Sequence, residues 1–77
     1  MSTVQSPLPG VFYRKPSPDA DPFVEEGSEV SAGQVIGLIE VMKNFSELKA
    51  DAAGTLASFL VEDAAEVEVG QGIAEIS

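Results

Sequence analysis

The chain contains no cysteine, no histidine and no tryptophan. These absences exclude disulfide staples, thiol nucleophiles, Cys/His zinc sites and the commonest acid–base side chain. Basic residues are scarce too: four Lys+Arg stand against thirteen Asp+Glu, a formal charge of -9. Nucleic acid and anionic membranes, which are held by clustered cations, are therefore not expected as partners. No apolar run reaches membrane-spanning length; the longest, residues 35–39, is a strand's length and is interrupted by Gly37. Residues 1–5 lack a basic residue and run into Ser6-Pro7-Leu8-Pro9-Gly10, so no secretory leader is expected and a cytoplasmic location is the default. Little catalytic chemistry survives this list, and the chain is not expected to be an enzyme.

What remains is enough for a fold. At 44% apolar residues the chain exceeds the hydrophobicity of disordered segments. Its 77 residues form one domain at most, with an expected radius of gyration of roughly 11–12 Å. Residues 23–40 set over residues 60–77 give 8 identities in 18 at a constant offset of 37, from Val24/Val61 to Ile39/Ile76. Each copy reads as a strand end, an acidic turn, a short Glu-Val segment, a Gly-Gln turn and a second strand. Gly33 and Gly70 stand where the chain must reverse with positive φ.

Upstream of the copies, Pro9-Gly10-Val11-Phe12 matches Ala53-Gly54-Thr55-Leu56 at an offset of 44. The first half therefore carries seven extra residues, 44 minus 37, between Gly10 and Phe23. They fall in a loop over residues 13–22 that holds three of the five prolines and the adjacent pair Arg14-Lys15. Proline fixes φ and lacks a donor, so this loop is expected to be a stiff finger outside any sheet ladder.

Two strand-rich units, each too small to bury its own apolar face, pack most simply about a pseudo-twofold axis. The expected fold is all-β: a flattened barrel or sandwich of two four-stranded antiparallel sheets. Strands are expected over residues 3–6, 10–13, 29–30, 35–41, 45–50, 54–60, 66–67 and 72–76.

Between the copies lies Glu40-Val41-Met42-Lys43-Asn44-Phe45. The strand patterns on either side force a reversal near Met42 and Lys43, with Asn44 as the residue expected to tolerate a left-handed backbone. Lys43 then stands at the tip of a hairpin, residues 40–46. Lysines at exposed tips commonly serve only to keep edges apart. Val41 and Met42, however, are apolar side chains that a purely solubilising turn would not choose.

From Ser6 to Ser77 the chain resembles the biotinyl domain of biotin carboxyl carrier proteins of the acetyl-CoA carboxylase type. Glu40-Val41-Met42-Lys43 is similar to the family's Glu-Ala-Met-Lys biotinylation motif. Gly10-Val11-Phe12-Tyr13-Arg14 with Pro16-Ser17-Pro18-Asp19-Ala20 resembles its thumb loop, and Gly27, Gly33 and Gly54 fall at its turns. The resemblance implies that Lys43 carries biotin, with Met42 as its preferred neighbour and Glu40, Val41 and Asn44 completing the motif. Val41 and Asn44 depart from the family's usual Ala and Met. The implied partners are a biotin ligase, a biotin carboxylase and a carboxyltransferase, between which the arm would shuttle a carboxyl group taken from bicarbonate. A lysine ammonium is almost wholly protonated at pH 7, so the base for its acylation would come from the ligase. The finger, residues 13–22, lies in the half that precedes the hairpin and is expected to pack against the biotin ring in some states.

Two other readings stand beside this one: a lipoyl carrier modified at the same lysine, and an unmodified module docking through Val41, Met42 and Phe45. Glu40 and Glu47 flank the hairpin but are expected to be solvated strand residues, since a domain this small leaves little mass for a pocket around them. Asp19 and Asp21 lack the loop of an EF-hand. A chain of this length is expected to act as a free subunit or to dock through its barrel surface, and the carboxyl acceptor is not readable from a carrier.

Overall fold

Short apolar stretches separated by glycine and proline turns leave no span long enough for a helix of several turns. The computed structural model, which describes residues 2–77, accordingly contains eight strands. They are β1 (Ser2–Gln5), β2 (Gly10–Tyr13), β3 (Glu29–Val30), β4 (Val35–Val41), β5 (Asn44–Lys49), β6 (Gly54–Phe59), β7 (Ala65–Val67) and β8 (Gly72–Ile76). Two four-stranded sheets result, ordered β1-β8-β6-β3 and β5-β4-β2-β7, with every pairing antiparallel. The Cα radius of gyration is 11.2 Å, inside the expected range.

Exchanging β2, β3, β4 and β5 for β6, β7, β8 and β1 turns one sheet order into the other. The internal repeat is thus a real pseudo-twofold, and its two offsets recur in the strand register. Phe12 faces Ile39 across β2–β4, and Leu56 faces Ile76 across β6–β8. Phe12 and Leu56 differ by 44 and Ile39 and Ile76 by 37, and all four are buried. Each half also lends one short strand to the other, since β3 pairs with β6 and β7 pairs with β2. Neither half can therefore bury its apolar face alone.

The Gly-Gln turns have a mechanical explanation. Gly33 and Gly70 take φ of 84° and 82°. Their N–H groups donate to Ala50 and Ser6 carbonyls, both at 2.8 Å. The following glutamines reach back: Gln34 Oε1 accepts the Ser31 N–H and Gln71 Oε1 accepts the Glu68 N–H, both at 2.9 Å. A glutamine after the turn glycine closes the loop from inside.

The strand ends differ from expectation by a residue at β1, β5, β6 and β7, because terminal pairing follows neighbouring carbonyls and not propensity. A larger correction concerns the central turn. Asn44 already belongs to β5, paired with Val41, so the left-handed residues are Met42 and Lys43. The segment after Arg14 contains no strand until Glu29, as its prolines require.

Candidate functional site

β4 and β5 form one continuous ladder from Val35↔Lys49 to Val41↔Asn44, leaving only Met42 and Lys43 to turn the chain. A two-residue hairpin that matches the right-handed strand twist needs positive φ at its central residues, a role usually given to Asn or Gly. Here Met42 and Lys43 adopt φ of 50° and 68°. For residues with a Cβ that conformation costs on the order of 1–2 kcal/mol each. The tight ladder holds them there, and the consequence is exposure: Met42 is 89% exposed and Lys43 is exposed beside it. Among the described residues the one ion pair is Lys49 Nζ with Glu47 Oε1 at 3.9 Å. The Lys43 amine thus has no carboxylate partner.

Below the tip the hairpin meets aromatic side chains. Phe45 is 58% exposed, and its ring lies 6.4 Å from that of Tyr13. Tyr13 is carried by β2, which pairs with β4 with Tyr13 opposite Leu38 and Val11 opposite Glu40. A hydrogen bond to the Glu40 carboxylate raises the Tyr13 phenol above its ordinary value, helped by partial burial and by the charges of Glu40 and Asp63. Tyr13, Glu40 and Phe45 line an open cleft of about 470 Å³ together with Lys15, Pro16, Ser17 and Pro18 of the proline-rich loop and with Asp63 and Ala64. This corrects the expectation of a domain with no room for a pocket. Glu40 lines a cleft because the proline-rich loop stands up from the sheet and supplies the missing wall.

The five candidate residues therefore divide. Met42 and Lys43 are the turn, Val41 and Asn44 are the closing pair beneath it, and Glu40 faces the cleft one residue further down. An exposed primary amine at the end of a rigid ladder is suited to acylation by an external enzyme. The cleft below the turn, lined by two aromatic rings together with Lys15, Glu40 and Asp63, can receive a small ring system that carries polar groups on the end of an arm.

The model of the biotin/lipoyl family, described as that of a biotin-requiring enzyme, matches residues 2–76. The chain belongs to that family. Its biotin/lipoyl fold is shared with a urea carboxylase from Kluyveromyces lactis, whose structure superposes with a TM-score of 0.79 at 25% identity, covering 99% of this chain and 6% of that one. Among curated relatives, the chloroplastic biotin carboxyl carrier protein of acetyl-CoA carboxylase from Glycine max is 44% identical over 66 residues, 86% of this chain and 25% of its own length. The biotin carboxyl carrier protein of acetyl-CoA carboxylase from Haemophilus influenzae is 43% identical over 65 residues, 84% and 42%. The chain thus spans less than half the length of these two biotin/lipoyl relatives.

The glycine turns, the strand-free proline-rich loop and the hairpin tip lie where the sequence placed them. The sequence did not show that Tyr13, Phe45, Asp63 and Ala64 line one cleft. Ala64 has positive φ, 64°, although it is not glycine. The signal was present in the repeat, where Ala64 stands opposite Gly27, which has φ of 91°. A mismatch in the alignment concealed two positions that both take positive φ.

Proposed function

We propose that this domain is a biotin carboxyl carrier in which Lys43 is the attachment site. The observation that supports it best is the two-residue turn that holds one unpaired amine at the exposed end of a continuous ladder. Met42, Val41, Glu40 and Asn44 form the recognition surface that a biotin ligase reads around it. Selectivity among lysines follows from presentation. Lys49 lies within a strand and pairs with Glu47, and Lys15 lines the thumb side of the cleft, so neither stands at a strand turn.

Biotin, when attached, supplies a ureido nitrogen able to carry a carboxyl group, which the protein tethers and orients. The hairpin anchors the arm, and the cleft between thumb and hairpin receives its ring, with Tyr13 and Phe45 as the apolar floor. Tethering makes each encounter with a partner site intramolecular in effect. The domain works with a biotin carboxylase and a carboxyltransferase, in an acetyl-CoA carboxylase or another acyl-CoA carboxylase. This follows the names of its relatives and makes the chain a carrier, with catalysis residing in its partners. Residues 13–22 act as the thumb and residues 40–46 as the modified hairpin of a single domain over residues 1–77. The cytoplasmic setting expected from the sequence is part of this proposal.

The test is intact mass of the chain co-expressed with biotin and lipoyl ligases, beside Lys43→Arg. One biotin per chain, lost completely in the variant, is the expected result. A lipoyl mass, no addition, or biotin retained by Lys43→Arg would sink the proposal.

A further inference from the structure

Proline makes the thumb stiff, but stiffness does not fix the angle at which it leaves the sheet. Its base is closed by one backbone bond, Phe23 N–H to the Arg14 carbonyl at 2.9 Å. Beneath the base lies a second open pocket of about 390 Å³, between Arg14, Pro22, Val24, Glu25, Glu26 and Phe59. A loop hinged on one bond above open space would pivot.

We propose that the segment between β6 and β7, residues 60–64, is a strap that sets the thumb's position over the cleft, with Asp63 and Arg14 as positioning residues for the arm on Lys43. The Arg14 N–H donates to Asp63 Oδ1 at 2.7 Å, and Arg14 Nη2 donates to the Val61 carbonyl at 2.9 Å. The same guanidinium lies 4.3 Å from the centroid of the Phe59 ring, within cation–π reach. Beyond the thumb, Glu26 Oε2 accepts the Phe59 N–H at 2.9 Å. Arg14, at the start of the thumb, and Glu26, just beyond its end, are thereby tied to residues 59–63, and attachments at both ends of a loop remove the pivot that one allows.

The backbone is set up for this. Ala64 holds its left-handed conformation while its N–H donates to the Phe12 carbonyl at 2.7 Å. Strain of this kind persists only where surrounding contacts over-determine it. The pseudo-twofold gives the counterpart: the Gly27 N–H donates to the Leu56 carbonyl at 2.7 Å. Glu26 and Asp63, one residue earlier and again 37 apart, each accept a backbone N–H from the chain at or just beyond the end of β6 and β2. The clasp is a duplicated part of the scaffold, and in the first half the thumb grows directly from it. Asp63 and Ala64 also wall the cleft, so the strap sets the distance between thumb and hairpin.

The functional consequence rests on the carrier reading; the mechanical one does not. In the unmodified chain, Asp63→Ala is expected to speed hydrogen exchange of the Arg14 amide by about tenfold or more, the loss of a hydrogen bond to a charged acceptor. It is also expected to lower the backbone order parameters of Lys15, Ser17 and Asp19, leaving β4–β5 amides protected. Asp63→Asn, which keeps an acceptor oxygen, should fall between, as should Arg14→Lys, which keeps the cation but loses the planar fork. In the biotinylated chain, the Lys15 and Ser17 amide shifts caused by biotin should disappear in Asp63→Ala. Unchanged thumb order in Asp63→Ala, or Asp63→Asn as loose as Asp63→Ala, overturns the strap. Biotin-induced shifts that are absent from the parent or that survive Asp63→Ala overturn its role in holding the arm. A chain that never accepts biotin refutes the carrier reading alone, because the order parameters of the unmodified chain still decide the mechanics.

Discussion

The two halves of this domain share a scaffold position for position and differ in what is attached to it. β2, β3 and β4 match β6, β7 and β8, and β5 and β1 take equivalent edges. In the first half β4 passes through Met42 and Lys43 into β5, and in the second β8 pairs with β1 at the equivalent edge. In the first half Phe23 is reached through the proline-rich thumb; in the second, the matching stretch from β6 to Leu60 is direct. The inserted loop lines the cleft, and the Met42-Lys43 turn exposes the amine, so both features of the candidate site are added to a duplicated frame.

If the frame is shared, its two central residues should be about equally important. Phe12 and Leu56 are fully buried and face Ile39 and Ile76 at equivalent register. Phe12→Ala is expected to cost about 3–5 kcal/mol and Leu56→Ala about 2–5 kcal/mol. Either loss takes most of the stability of a domain this small. Denaturant titration of both variants checks this. A Leu56→Ala loss below about 1 kcal/mol would break the equivalence and make the first half the dominant core.

The parts legible in the sequence were those that repetition exposes. Identity between Gly33-Gln34 and Gly70-Gln71 marked the turns, and the change of offset from 37 to 44 marked the thumb. Lys43 stands out because it lies between the copies, and the carrier chemistry proposed for it comes from the family resemblance. The cleft was not legible, since it depends on tertiary contact between Tyr13, Phe45, Asp63 and the thumb prolines, which come from three separate stretches of chain. The reversal falls at Met42-Lys43 as expected, but Asn44 does not take part in its left-handed backbone: propensity favours Asn at positive φ, and the β4–β5 register overrides it by pairing Asn44 with Val41.

Gly27 and Ala64 offer a gentler comparison, because they share a backbone and differ by one methyl group. A Cβ at Gly27 would meet no atom within 4 Å, so Gly27→Ala isolates the conformational cost. The left-handed penalty, partly offset by the lower entropy of an unfolded alanine, makes the variant less stable by about 1 kcal/mol. Ala64→Gly should move stability the other way by a similar or smaller amount. Thermal denaturation of the pair measures both. Shifts of the same sign would show that the two positions are not equivalent and that the Ala64 methyl contributes more than its backbone costs.

The smallest expected effect lies in a pair that only the first half possesses. Tyr13 and Glu40 map onto Ala57 and Ser77, so the second half has neither a phenol nor a carboxylate side chain there. Hydrogen bonding to Glu40, with burial and the charges of Glu40 and Asp63, holds the Tyr13 phenol above the ordinary 10.0. Its proton is therefore kept in the folded chain at pH values where the unfolded chain has released it. By linkage, the stability from this pair is fully present below the unfolded value, about pH 10, and is lost as pH rises through the higher folded value. Phenolate absorbance reads this directly, because Tyr13 is the chain's one tyrosine. Glu40→Gln is expected to lower the Tyr13 midpoint toward 10, and Tyr13→Phe to remove the corresponding alkaline step in stability. A midpoint unmoved by Glu40→Gln would mean that burial or Asp63 holds the phenol, and Glu40 would then line the cleft without acting on Tyr13.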